Sequence, residues 1–251
     1  MAKCWAEKLT GCAEKASKEH IFSAGIFPEG GIRVKGFPWC KDEFKDISVA
    51  SFTRKVLCEH HNNTLTHADE AGIRAMEAFR QEVQIGNARK KLKPIRWTVQ
   101  KIHIDGRGLE RWFLKTLINV AVDGTYRIGM DSIEAGKPSE RLVKIAFGVE
   151  AFKPRAGLYG LGFIGQNLKL EEGIFLSPLA KNHETLVGGL FHFHGYRFLL
   201  YLEEQGLNQT MPIPSMFGEE AHRTETLYPL KAVRFMIGKH LSHVIEFSYT
   251  T

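Results

Sequence analysis

The feature that most constrains this chain is the segment Leu57–Gly72, in which one cysteine, three histidines and two asparagines precede a helix-like pattern. Cys58 and His61 are separated by two residues, a spacing that suits metal ligands. An earlier segment, Ser17–Phe22, contains the adjacent pair Glu19-His20, which offers a carboxylate and an imidazole. The chemistry-bearing side chains are therefore concentrated in two short segments near the N-terminus.

All four cysteines, Cys4, Cys12, Cys40 and Cys58, lie in the first quarter of the sequence. No apolar leader precedes them, and no apolar run approaches the roughly 20 residues of a membrane span. These features predict a cytoplasmic protein without a membrane segment. In a reducing compartment, clustered cysteines are more often metal ligands or free thiols than disulfides.

The composition favours a folded protein with an anionic partner. With 251 residues, 43% of them hydrophobic, the chain can build one large domain or two smaller ones. Its net charge is +6, and residues 1–94 carry 16 Lys and Arg against 12 Asp and Glu. Nucleic acid, DNA rather than RNA, is the partner we expect for such a surface, although an ordinary basic balance explains the charge equally well.

The hydrophobic patterns predict an α+β fold. We expect strands at Ile32–Lys35 and within Ile47–Leu57, and then a helix from Thr66 or Asp69 to about Val83 with one apolar face. The second half predicts mainly strands and one helix: a strand at Trp97–Ile104, a helix at Leu109–Val122 and strand character at Leu142–Phe152.

Residues 87–94 contain four cationic side chains and predict a basic linker, either a solvated boundary or a phosphate contact. This divides the chain into an N-terminal module, residues 1–86, and a mixed, strand-rich domain, residues 95–251. The sequence assigns no role to the second domain, which leaves open a homo-oligomer contact or a regulatory partner there.

The two N-terminal segments, Glu19-His20 and Leu57-Cys58-Glu59-His60-His61-Asn62, resemble the motifs of HNH endonucleases of the ββα-metal superfamily. The resemblance covers about Lys3–Phe79. It implies two strands and a helix around a divalent ion, Mg²⁺, Mn²⁺ or Ni²⁺, and hydrolysis of phosphodiester bonds by a metal-dependent endonuclease. One divalent cation and one imidazole base supply the chemistry that such hydrolysis needs.

Specific roles follow from this resemblance. It implies that His20 is the general base, that Glu19 is a ligand of the catalytic ion, and that Asn62 orients His20 or ties the hairpin together. A further ligand is expected on the following helix, with Asp69 as first choice and His67 as second.

The resemblance also implies a separate structural zinc, bound by Cys4, Cys12, Cys58 and His61. Cys40 is either a spare thiol or takes the place of one of the four. The chain departs from the family pattern in the C-x7-C spacing of Cys4 and Cys12 and in the longer gap between the motifs, where Gly25–Val56 is an insertion.

Two alternatives to a nuclease remain open. One is a catalytically degenerate, zinc-stabilised module that binds nucleic acid or a partner. The other is a nuclease under the control of a nucleotide-sensing second domain, as a phage-defence effector would need.

Overall fold

The computed structural model describes residues 4–26, 31–35, 40, 42–91, 100–122, 124–162, 174–193, 196–203, 226–229, 231, 235–237 and 243–249 of the 251-residue chain. Within these ranges helices and strands are mixed, which confirms the predicted α+β class. The helices are α1 (Glu59–Thr64), α2 (Thr66–Lys90), α3 (Gly106–Ala121) and α4 (Glu140–Ala146). In this described part, every helix is too short or too polar to cross a lipid bilayer.

The strands of the described residues occur in two groups. Those of the N-terminal part are β1 (Ala16–His20), β2 (Gly31–Lys35), β3 (Lys45–Ser48) and β4 (Thr53–Cys58). The remaining strands are β5 (Gln100–Asp105), β6 (Arg127–Ile128), β7 (Gly157–Gly162), β8 (Ile174–Lys181), β9 (Thr185–Phe193), β10 (Tyr196–Tyr201), β11 (Thr226–Pro229), β12 (Phe235–Ile237) and β13 (His243–Ser248).

The strands form three sheets. The largest has the order β11-β7-β10-β9-β8-β2-β3, with β6 paired to β9. Adjacent strands of this sheet are antiparallel, except that β2 is parallel to β8 and β6 is parallel to β9. Among the described strands, a second sheet has the order β12-β13-β5, and β1 and β4 form the third. The N-terminal strands β2 and β3 thus belong to the same sheet as the strands of the second half.

The segment β1-β4-α1 forms two antiparallel strands followed directly by a helix. Glu19 pairs with Arg54 and His20 with Thr53 across the two strands. The chain turns from β4 into α1 at Cys58, whose extended backbone and sulfur, which accepts a hydrogen bond from the His61 N–H, start the helix. One residue, Leu65, separates the end of α1 from the start of α2.

Helix α2 buries one apolar face, as its spacing predicts, and runs on to Lys90. It approaches α3 closely at Gly72, where a Cβ atom would lie 2.5 Å from the Trp112 ring. Only glycine fits at such a contact. The buried apolar side chains of α2 are Ala68, Ala71, Ala75, Met76, Ala78, Phe79 and Val83.

Both predicted domains share one hydrophobic core. The rings of Phe22 and Phe193 are 5.8 Å apart, and those of Phe79 and Phe198 are 5.4 Å apart. Residues 87–90 of the predicted linker belong to α2, and residues 92–94 lie outside the described residues. The N-terminal module and the mixed domain therefore pack together as parts of one core.

One predicted element is wrong. The sequence predicts strand character at Leu142–Phe152, but α4 occupies the first part of this segment, although it contains the β-branched residues Val143 and Ile145. Ser139 caps the helix by accepting a hydrogen bond from the Leu142 N–H, and the buried side chains of α4 follow helical spacing. Local capping and burial outweigh the strand preference of the β-branched residues.

Candidate metal centre

Four side chains converge where β4 meets α1. Ligand atoms of Cys4, Cys12, Cys58 and His61 all lie within 4.8 Å of one another. Cys12 is exposed, whereas the other three are buried. These are the four residues that the resemblance implies as zinc ligands. Cys40 is buried but lies outside this set.

Backbone hydrogen bonds hold the N-terminal loop against β4 and α1. The Trp5 N–H donates to the Val56 carbonyl at 3.0 Å, which places Cys4 beside β4. On the other side of the loop, the Glu59 N–H donates to the Lys15 carbonyl at 3.0 Å. Gly11 has a φ of +84° and passes so close to His60 that a Cβ atom would lie 2.9 Å from its Nε2. The C-x7-C segment therefore closes over the start of α1.

The distances around His61 suit a metal better than a hydrogen bond. Its Nδ1 lies 3.3 Å from both the Cys4 and the Cys58 sulfur. A neutral imidazole nitrogen has either one lone pair or one hydrogen, so it makes one good hydrogen bond, not two. In tetrahedral zinc coordination, the sulfur-to-nitrogen separation is about 3.6 Å. The observed spacing is close to that of a filled site.

The electrostatics favour the ligand forms of Cys58 and His61 but not that of Cys4. Burial acts to raise the pKa of Cys58, but the backbone N–H groups of His61 and Ala13, at 3.4 and 3.3 Å from its sulfur, and hydrogen bonds from the Cys12 and Cys4 side chains together lower that pKa. Burial lowers the pKa of His61, which favours the neutral ring that binds metals. Burial raises the pKa of Cys4 to about 12. The Cys4 thiol is therefore protonated at neutral pH, and it would have to release this proton to bind a metal.

The donor set identifies the kind of metal that fits. Three thiolates and one imidazole are soft or borderline ligands, which suit Zn²⁺ and do not suit Mg²⁺ or Ca²⁺. All four positions are supplied by protein, which is typical of a structural site rather than a catalytic one with an open position. The cluster could hold a metal ion such as zinc, as expected from the sequence.

A second cluster contains two of the predicted ligands of a catalytic ion. Glu19 on β1 and Asp69 on α2 both contact the Lys115 ammonium on α3. Lys115 Nζ lies 2.7 Å from both carboxylate oxygens of Asp69. The Lys115 and Glu19 side chains are only 2% and 4% exposed, and Asp69 is 26% exposed.

A hydroxyl and an indole complete this second cluster. Ser23 Oγ donates to Asp69 Oδ1 at 2.6 Å and accepts from Trp112 Nε1 at 2.9 Å. Sequence reasoning missed Lys115 and Ser23. Part of the signal for Lys115 was available, because it lies one turn after Trp112 and between the apolar residues Leu114 and Leu117 of the predicted helix. A cation at such a position requires buried acidic partners.

The other predicted catalytic residues lie apart from this cluster. His20 follows Glu19 at the end of β1, is half-buried, and projects from the opposite face of the strand. Asn62 Nδ2 donates to Ser17 Oγ at 2.9 Å, which ties α1 to β1. His67 is 88% exposed and lies 3.6 Å from Glu70. The structure thus brings together Glu19 and Asp69, with neither His20 nor His67 among their contacts described here.

No protein-family model matches the chain, and neither a curated protein nor a solved structure matches it. Its assignment to a class therefore rests on its own residues and their geometry.

Proposed function

We propose that the chain is a zinc-stabilised nucleic-acid-binding protein built on a ββα-metal module. The observation that carries this proposal is the convergence of Cys4, Cys12, Cys58 and His61 within 4.8 Å at the start of α1. A metal bound there joins the N-terminal loop, β4 and α1. Its binding free energy would stabilise the local fold of these three segments.

The charge of the chain supports nucleic acid as the partner. The net charge is +6, and the excess of Lys and Arg over Asp and Glu is larger in residues 1–94 than in the rest. Cations on such a surface neutralise phosphates and release counterions, so the affinity falls steeply with salt. A protein that contacts several phosphates loses roughly a thousandfold in affinity between about 50 and 200 mM salt.

Hydrolysis of phosphodiester bonds is the second candidate function. It is favoured by the order β1-β4-α1, with His20 half-buried at the end of β1 and Asn62 tied to that strand. In this candidate, His20 is the general base and a divalent ion binds Glu19 with Asp69 or His67. We rank it second because the Lys115 ammonium already engages both Glu19 and Asp69, and Glu19 is almost fully buried.

One experiment tests both candidates on the zinc-loaded chain. Fluorescence anisotropy with duplex and single-stranded DNA and RNA, at several salt concentrations, should show binding that weakens as salt rises. In parallel, supercoiled plasmid is incubated with the wild type or with His20→Ala in Mg²⁺, Mn²⁺ or Ni²⁺.

Salt-dependent binding without nicking supports the first candidate. Nicking that His20→Ala abolishes, while the variant keeps its zinc, establishes the second. A zinc-loaded chain that binds no nucleic acid in any form contradicts both candidates.

A further inference from the structure

The cluster of Glu19, Asp69, Ser23 and Lys115 has the ligands of a cation site, but it already contains a cation. The carboxylates of Glu19 on β1 and Asp69 at the start of α2 both contact one point, and the Ser23 hydroxyl in the loop after β1 donates to Asp69. Such oxygen donors suit hard divalent ions such as Mg²⁺, Mn²⁺ and Ca²⁺. The group that lies among them is the ammonium of Lys115.

The packing keeps this ammonium in place. Lys115 is 2% exposed and sits on α3 one turn beyond Trp112, whose indole N–H donates to Ser23 Oγ. The same Ser23 hydroxyl donates to Asp69. The hydrogen-bonded chain Trp112–Ser23–Asp69–Lys115 therefore fixes both the cation and its partner. A buried carboxylate such as Glu19 requires this compensating charge.

We propose that Lys115 is a built-in cation that fills the divalent-ion position between Glu19 and Asp69. The native chain consequently holds no divalent ion at this position, and removal of the ammonium opens a site for one hard divalent cation. The charge of Lys115 on α3 attracts the carboxylates of Glu19 on β1 and Asp69 on α2. Lys115 therefore helps to position these three elements. The inference does not depend on nucleic-acid binding.

The inference is tested by Mn²⁺ binding to the full-length, zinc-saturated chain, followed by the electron paramagnetic resonance signal of free Mn²⁺. The wild type is compared with Lys115→Ala and with Lys115→Ala/Asp69→Asn. Lys144→Ala is the matched control, because Lys144 also lies between two carboxylates, at 2.9 Å from Glu140 and 3.8 Å from Glu150, but on the surface.

Lys115→Ala should bind one Mn²⁺ per chain with a dissociation constant of roughly 1 mM or below. The wild type, Lys144→Ala and the double variant should show no such binding. The Tm of Lys115→Ala should also rise with Mn²⁺, and a variant that fails to fold alone should fold when Mn²⁺ is added. A structural role alone for Lys115 predicts no gain of Mn²⁺ binding.

Two results would overturn the inference. One is a wild-type chain that binds Mn²⁺ in a way that Asp69→Asn abolishes, since the position would then be open to a divalent ion. The other is a Lys115→Ala variant that does not bind Mn²⁺ and whose Tm does not rise when Mn²⁺ is added.

Discussion

At the scale of single residues, Glu110 is the ionisable group whose burial has the clearest consequence for stability. Its carboxylate, on α3, accepts a hydrogen bond from the Leu158 N–H at 3.0 Å and lies 3.3 Å from Lys231 Nζ. Burial raises its pKa from 4.5 to about 7, against the opposing effects of Lys231 and the Leu158 N–H. The side chain is 4% exposed, so solvent screens these interactions little.

This raised pKa predicts a specific dependence of stability on pH. A carboxyl that is easier to protonate in the folded chain contributes stability below the unfolded-state pKa, and this contribution is lost as pH rises through the folded-state pKa. Between pH 4.5 and about 7, the wild type should lose roughly 3 kcal/mol of unfolding free energy relative to Glu110→Gln. Urea unfolding of both proteins across this range, with saturating zinc, measures the difference. The prediction would be wrong if the unfolding free energies of the two proteins changed with pH by the same amount.

The candidate metal centre shows what residue spacing could predict. Cys58 and His61 were identifiable because ligands one helical turn apart must lie close together. Cys4 and Cys12 were added by resemblance and converge with them. Lys115 was not assigned a role because it contacts Asp69, 46 residues away, through the packing of α3 on α2. Contacts of that kind depend on tertiary structure, which local patterns do not encode.

At the scale of secondary structure elements, α4 depends on its N-terminal cap. Ser139 is buried, and its Oγ accepts a hydrogen bond from the Leu142 N–H at 3.3 Å. Ser139→Ala should therefore lower the free energy of unfolding by about 1 kcal/mol.

A matched control for this cap is Ser51→Ala. Ser51 is an exposed serine whose Oγ donates to the Ser48 carbonyl at 2.8 Å. Its removal should change the free energy of unfolding by about 0.5 kcal/mol or less. Urea unfolding of both variants measures the two changes. Equal losses in the two variants would show that the Ser139 cap contributes no more than a surface serine.

The elements also differ in how far the sequence predicted them. The structure confirms strand β2 and helices α2 and α3. These elements were predictable because the apolar residues of each recur with the spacing of a strand or of a helix. Strand pairing was not predicted, because β2 pairs with β8, about 140 residues later in the chain. Helix α4 was missed because its β-branched residues obscured a cap and a short helical repeat.

At the scale of the whole molecule, the shared core predicts that the two halves unfold together. Phe198 on β10 packs against Phe79 on α2 and Phe113 on α3, with ring centroids 5.4 and 5.3 Å apart. Phe198→Ala removes contacts on both sides of the predicted boundary and should cost about 3 to 5 kcal/mol. Amide hydrogen exchange should accelerate in α2 and in β10 to a similar extent.

This prediction has one control variant and one result that would contradict it. Ile133→Ala, at a residue that is 90% exposed, is the control and should leave exchange unchanged. Acceleration confined to β10 in Phe198→Ala would show that α2 and the N-terminal module are stable independently of the second half.

Our main proposal is that one zinc ion, bound by Cys4, Cys12, Cys58 and His61, stabilises this protein. Its most direct test is the zinc content per chain, with Tm before and after chelation, for the wild type, Cys58→Ser and His60→Ala. The wild type should hold one zinc, and chelation should lower its Tm. His60→Ala should behave in the same way, because His60 is exposed and lies outside the ligand set. Cys58→Ser should hold none. A purified wild type without zinc that neither binds added zinc nor gains stability from it, or a Cys58→Ser variant that keeps one zinc per chain, would contradict the account.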